Sequence, residues 1–99
     1  MNIMITGCAG FIGYSLASKI LIDKKNKIFG IDNLNKYYSL KLKLKRLKNL
    51  KKFKNFNFNK IDLNHKKKLE NFFKKNRIDT IFHFAAQAGV RYVPIHPEK

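Results

Sequence analysis

The stretch Thr6-Gly7-Cys8-Ala9-Gly10-Phe11-Ile12-Gly13, entered from Asn2-Ile3-Met4-Ile5 and followed by Asp32, decides how the chain folds. Asn2–Thr6 is a short apolar run that stops at glycine, which reads as a buried strand. From Phe11 to about Lys24 the apolar residues Ile12, Leu16, Ile20 and Phe11, Tyr14, Leu21 recur at helical spacing, with Lys24 and Lys25 placed where a helix dipole favours cations. Lys27–Ile31 is a second apolar run that ends at Asp32. The loop between strand and helix is G-x-x-G-x-x-G, one residue longer than the G-x-G-x-x-G fingerprint of dinucleotide-binding loops. Gly7 permits the tight turn off the strand, Gly10 lets backbone approach a pyrophosphate, and Gly13 lets the helix lie close to the strand. The helix N-terminus then presents free N–H groups and a positive dipole end to phosphates. Asp32 lies 19 residues after Gly13, where a ribose-binding acid belongs. A carboxylate there accepts hydrogen bonds from adenosine ribose hydroxyls and repels a ribose phosphate, so the pattern favours NAD over NADP.

The rest of the chain extends the same alternation. Leu40-Lys41-Leu42-Lys43-Leu44-Lys45 alternates as a strand would, but Leu47 and Leu50 continue at a spacing of three. Leu and Lys are strong helix formers without β-branches, and the segment is read as a helix. Phe56–Ile61 alternates as a half-buried strand, with Asp62 at its end. Leu69, Phe72 and Phe73 mark one face of a helix running to about Asn76. Ile78–Ala86 is apolar nearly throughout, as expected of a strand covered on both faces. Strand and helix alternate from end to end, which predicts an α/β fold: a Rossmann-like doubly wound parallel sheet, four strands in the order 3-2-1-4. In such a sheet the fourth strand normally has further strands beside it, and Ile81–Ala86 without them is an apolar open edge prone to aggregation.

Composition narrows the classes further. With 99 residues the chain makes one small domain, and 44% hydrophobic residues, including nine Phe and four Tyr, suit a globular core. The net charge of +16 comes from 22 Lys and Arg against six Asp and Glu. That balance raises nucleic acid or an anionic membrane as partners. Here the excess is nearly all Lys scattered over several segments, the pattern of solvated faces, and neither partner is expected. The Leu–Lys helix has the make-up of a membrane-surface helix, but such a face more often packs on its own domain. No run approaches the length of a membrane span and no basic segment precedes the apolar start, so a cytoplasmic protein is expected. The single cysteine, Cys8, excludes an internal disulfide and reads as a small loop residue. His65 and His96 share no ligand spacing with each other or with Cys8, and no metal is proposed. His83 reads as a hydrogen-bonded residue at the end of a buried strand.

At this point the residues resemble a known family. Thr6-Gly7-x-x-Gly10-Phe11-Ile12-Gly13, then Gly30-Ile31-Asp32-Asn33-Leu34-Asn35 with Tyr37-Tyr38, and Asp62-Leu63 after the third strand, are similar to the extended short-chain dehydrogenase family. His83-Phe84-Ala85-Ala86-Gln87-Ala88-Gly89-Val90-Arg91-Tyr92 is most similar to UDP-glucuronate 4-epimerases and the bacterial sugar-nucleotide epimerases near them. The resemblance runs from Asn2 to about Tyr92 and implies roles residue by residue. Gly7, Gly10, Phe11, Ile12 and Gly13 would cradle the pyrophosphate of NAD, and Asp32 and Asn33 would hold the adenosine ribose. Asp62 and Leu63 would border the adenine, and Ala85, Ala86 and Gln87 would pass beneath the cofactor. Arg91 would face the nucleotide-sugar substrate, expected to be a UDP-sugar, since its fork of donors suits a phosphate or carboxylate. Members of the family epimerise through transient oxidation at sugar C4 by bound NAD, with the tyrosine of a YxxxK motif as base. The full-length form is expected as a homodimer.

The catalytic set that the resemblance implies does not fall within these residues. Tyr37-Tyr38-Ser39-Leu40-Lys41 matches YxxxK in letters only, because it follows the second strand, on the adenosine side of the expected fold. Val93-Pro94-Ile95-His96-Pro97 also departs from the family's Ser-containing stretch. The expectation is therefore residues 1–99 as the N-terminal portion of an NAD-binding domain, truncated before its C-terminal half and substrate domain, and inactive alone. A sugar-nucleotide dehydratase or decarboxylase of the same family, or a non-catalytic NAD-binding remnant, are the alternatives.

Overall fold

The computed structural model describes residues 1–34 and 40–84. Four strands, β1 (Asn2–Thr6), β2 (Lys27–Asp32), β3 (Phe56–Lys60) and β4 (Thr80–His83), alternate with three helices, α1 (Phe11–Ile20), α2 (Leu40–Leu50) and α3 (Lys66–Lys75). All strand pairs are parallel, and the sheet order is β3-β2-β1-β4. That is the doubly wound arrangement the alternation predicts. The register sets Ile5 beside Gly30 and Phe82, and Thr6 beside Ile31 and His83.

Alternate residues of a strand face opposite sides, and the two sides of this sheet hold separate cores. On one side Ile3, Ile5 and Ile28 pack with Cys8, Ala17, Leu21, Leu47 and Leu50, joining β1 and β2 to α1 and α2. On the other, Met4, Phe29 and Ile31 pack with Phe72 of α3, and the Phe29 and Phe72 rings meet edge to face at 5.7 Å. Met4, Ile5 and Ile28 are wholly excluded from solvent. Burying such side chains supplies about 1.5–3 kcal/mol each and is the main force that holds the layers together.

The helices differ from their sequence patterns in ways that packing explains. The first helix ends at Ile20, short of Lys24, and Lys19 is the cation of its last turn. Asp23 turns the chain there: its Oδ1 accepts the Lys25 N–H at 3.0 Å and its carbonyl accepts the Asn26 N–H at 3.0 Å. Gly13 and Ala17 are the buried residues within α1, while Phe11 and Ile12 are exposed. Small residues let the helix lie close to β1, so the larger apolar side chains of its first turn point outward. The Leu–Lys segment is helical, with Leu47 and Leu50 in the core. The fourth strand begins at Thr80, two residues after the expected Ile78. Among the described residues, no helix is long and apolar enough to cross a membrane.

Candidate dinucleotide site at the strand ends

Because the sheet is parallel, the carboxyl ends of its strands share one edge. Thr6, Asp32, Lys60 and His83 close β1, β2, β3 and β4 along it. Strand order reverses between β1 and β4, and ligands of open α/β sheets bind at such a switch point. The glycine loop leaves β1 there.

The loop is tied to β2 by its backbone. The Gly7 N–H donates to Ile31 O at 2.7 Å, and the Gly10 N–H donates to Gly7 O at 3.0 Å, closing a turn. Gly7 takes a φ of 71°, the left-handed region that a side chain disfavours. At Gly13 a Cβ would run into the Gly7 carbonyl and come within 3.1 Å of Cys8 Cα. The fingerprint glycines at 7 and 13 therefore answer two different demands, a turn and a close approach.

Gly10 caps α1 with extended backbone, no side chain among the described residues caps the helix by a hydrogen bond, and no acid occupies its first turn. The first intrahelical bond is from the Tyr14 N–H to Gly10 O at 2.9 Å, so the Phe11, Ile12 and Gly13 amides precede the ladder. Phe11 and Ile12 are 71% and 61% exposed at the mouth of this loop. A positive helix end that, among the described residues, no side chain caps by a hydrogen bond fits a pyrophosphate.

Asp32 is 6% exposed. Its Oδ2 accepts the Ala9 N–H at 3.0 Å, and its Oδ1 accepts the Leu34 N–H at 2.8 Å, where Leu34 turns with a φ of 56°. Each carboxylate oxygen has two lone pairs, so among the described residues each keeps one further acceptor position. Asn33 follows Asp32 directly and is half-buried. Across the edge, Asp62 is exposed, and its Oδ1 accepts the Asn64 N–H at 2.9 Å in the turn into α3. Leu63 packs into the Phe72 core. The site thus fits a dinucleotide with an unphosphorylated adenosine ribose: an anion-binding loop, then an acid one strand away. Ala85, Ala86, Gln87 and Arg91 lie outside the described residues, as do Tyr37, Tyr38 and Ser39.

Other titratable groups are occupied structurally. Cys8 is fully buried, and burial first, with the negative Asp32 second, pushes its thiol far above the ordinary range. It is a packing residue, as its place in the loop suggests. The His83 Nδ1 lies 2.7 Å from Thr6 Oγ1, which also accepts the Phe84 N–H at 2.9 Å. Burial holds the His83 imidazole below its ordinary value. His65 caps α3, its ring accepting the Lys68 N–H at 3.4 Å. Among the described residues, no cluster of His, Cys, Asp or Glu has the make-up of a metal site.

Arg46 carries no motif and is invisible to sequence reasoning, one cation among the many of α2. It reaches back from α2 to donate to Ala9 O at 3.0 Å, with its guanidinium 6.0 Å from the ring centres of Phe11 and Tyr14. Asn49, one helical turn on, donates to Tyr14 Oη at 3.2 Å.

Known proteins share this architecture. A UDP-glucuronate 4-epimerase of Thermodesulfobacterium geofontis is 42% identical over 88 residues, which is 89% of this chain and 27% of that protein. The crystal structure of UDP-glucuronic acid 4-epimerase from Bacillus cereus with UDP-glucuronic acid and NAD superposes with a TM-score of 0.77 at 30% identity, over 87% of this chain and 26% of that one. The dTDP-glucose 4,6-dehydratase of Bacillus anthracis, crystallised with NAD, gives a TM-score of 0.73 at 30% identity, over 89% of this chain and 27% of that one. The chain thus spans about a quarter of the length of each of these three relatives. The family model described as GDP-mannose 4,6 dehydratase matches residues 4–99. Together with the parallel sheet and its glycine loop, that match means the chain belongs to this family, within the epimerases and dehydratases of the extended short-chain dehydrogenase type.

Proposed function

We propose that residues 1–99 are the N-terminal, NAD-binding portion of a nucleotide-sugar epimerase that acts on a UDP-sugar, of the UDP-glucuronate 4-epimerase kind. The observation that carries this reading is the Asp32 carboxylate bonded to the Ala9 amide of an uncapped glycine loop. In this reading the Phe11, Ile12 and Gly13 amides and Gly7 and Gly10 receive the pyrophosphate. Asp32 and Asn33 hold the adenosine ribose, Asp62 and Leu63 border the adenine, and Ala85, Ala86 and Gln87 run beneath the cofactor. Arg91 faces the sugar nucleotide. When bound, NAD supplies reversible oxidation at sugar C4. Asp32 binds, orients, and by its charge turns away a ribose 2′-phosphate. The catalytic Tyr and Lys belong to chain outside these residues, which makes the segment inactive alone, and the full-length protein is read as a homodimer. The Thermodesulfobacterium geofontis relative and the Bacillus cereus structure support the epimerase assignment.

The family model and the Bacillus anthracis structure favour a second reading, a 4,6-dehydratase on the same scaffold. One experiment separates the two. The intact protein, purified as its cells make it, is titrated with NAD and incubated with UDP-glucuronic acid and with dTDP-glucose. Conversion of UDP-glucuronic acid to a product of equal mass, its C4 epimer, is the expected result. Loss of one water from dTDP-glucose selects the dehydratase, and absence of NAD binding overturns both readings.

A further inference from the structure

Ala9 is gripped from both sides. Its N–H donates to Asp32 Oδ2 at 3.0 Å, and its carbonyl accepts from Arg46 Nη1 at 3.0 Å. Ala9 is fully buried and directly precedes Gly10, the residue that caps α1. The two peptide planes flanking it set the direction from which the chain enters the helix, and so where the Phe11 and Ile12 amides point. We propose that Arg46 is a positioning residue for the glycine loop: from α2, through the Ala9 carbonyl, it holds the loop in the form that receives a pyrophosphate. The choice of an arginine fits two demands at once. Its fork donates to a carbonyl without accepting, and its planar cation lies 6.0 Å from the Phe11 and Tyr14 ring centres. Tyr14 is fixed in turn by Asn49, so the face of α2 that carries Arg46 and Asn49 contacts the start of α1 at two points. A carbonyl that accepts from a guanidinium is also polarised, which strengthens the hydrogen bonds of the neighbouring amides.

This role rests on the reading that the loop binds NAD, and its test separates the two. In the intact protein, Arg46→Met keeps an unbranched side chain of similar reach and removes the donor, whereas Arg46→Lys keeps a charged donor. Hydrogen exchange of the Ala9 and Gly10 amides is followed without cofactor, and NAD affinity is followed by titration. Arg46→Met is expected to speed exchange at Ala9 and Gly10 while the β2 amides keep their protection. It should also weaken NAD binding about tenfold, the scale of one charge-assisted hydrogen bond, with Arg46→Lys recovering most of the loss. Unchanged loop exchange in Arg46→Met overturns the proposal, as does faster exchange throughout the sheet, which would mark a role in general stability. Equal NAD losses in both variants overturn it as well. If the unmodified protein binds no NAD, the cofactor reading falls, and loop exchange alone then decides the role of Arg46.

Discussion

Asp32 Oδ2 and the Ala9 N–H meet at 3.0 Å across 23 positions of sequence, so the acid that ends β2 braces the loop that leaves β1. The same carboxylate is read as the ribose acceptor. Two jobs on one group make a substitution at Asp32 do two things: it loosens the loop, and it removes a negative charge from the ribose site.

Asp32→Ala should therefore weaken NAD binding by tenfold or more, on the scale of about 1.5–3 kcal/mol for a bond to a charged group. A looser loop weakens NAD and NADP alike, while relief of repulsion helps NADP only. The ratio of the two dissociation constants, measured by calorimetric titration of the intact protein, should shift toward NADP. An unchanged ratio would remove the selectivity role and leave only the brace.

Gly13→Ala sets two effects against each other. Alanine within a helix gains up to ~1 kcal/mol over glycine. Its Cβ, however, meets the Gly7 carbonyl and Cys8 Cα, backbone atoms that cannot swing aside. Overpacking of that kind costs about 1–3 kcal/mol, so the clash should win. A lower urea midpoint is the expected outcome, and a midpoint equal to or above that of the unmodified protein would contradict the close approach.

His83 gives the fold a pH dependence on the acid side. Burial lowers its folded value below the ordinary 6.5, so the unfolded chain takes up the proton first as pH falls. The stability it contributes is full above the unfolded value and is lost as pH falls through the folded one. The melting temperature should drop between about pH 7.5 and 5.5, and His83→Asn should flatten that drop. An identical pH profile in the variant would show that other groups govern it.

Cys8 predicts a silent thiol. It is fully buried and raised by burial and by Asp32, so the reactive thiolate is suppressed in the folded chain. In native protein at about pH 8 Cys8 should resist iodoacetamide, and urea should expose it to labelling. Rapid native labelling would show that the loop opens far more often than its hydrogen bonds suggest.

The parallel sheet, its order and the glycine loop with Asp32 are legible in sequence because each leaves a local trace. Apolar runs of strand length alternate with helical spacing, and the glycines sit where backbone must turn or come close. The face of α1 is less legible. Phe11 and Ile12 have the spacing of core residues, yet Gly13 and Ala17 take the sheet side, because closeness to β1 selects small residues over apolar ones. The end of α1 is set by the Asp23 turn rather than by its cations. Arg46 leaves no trace at all: its partner Ala9 lies 37 positions away, and its charge is lost among the lysines of a strongly basic helix.

The register of β1 has a consequence in time. Its residues Ile3–Thr6 pair on one side with β2 and on the other with Thr80–His83. On a ribosome, the β2 side can close early, after a wait of only a few tens of residues. The β4 side stays open until the chain has grown past His83, which at ~5–20 residues per second takes several seconds more. Through that interval one edge of β1, in the middle of the finished sheet, is an unpaired row of backbone donors and acceptors. The moment when β4 docks, rather than the formation of any helix, then governs whether a nascent chain meets a neighbour or completes itself.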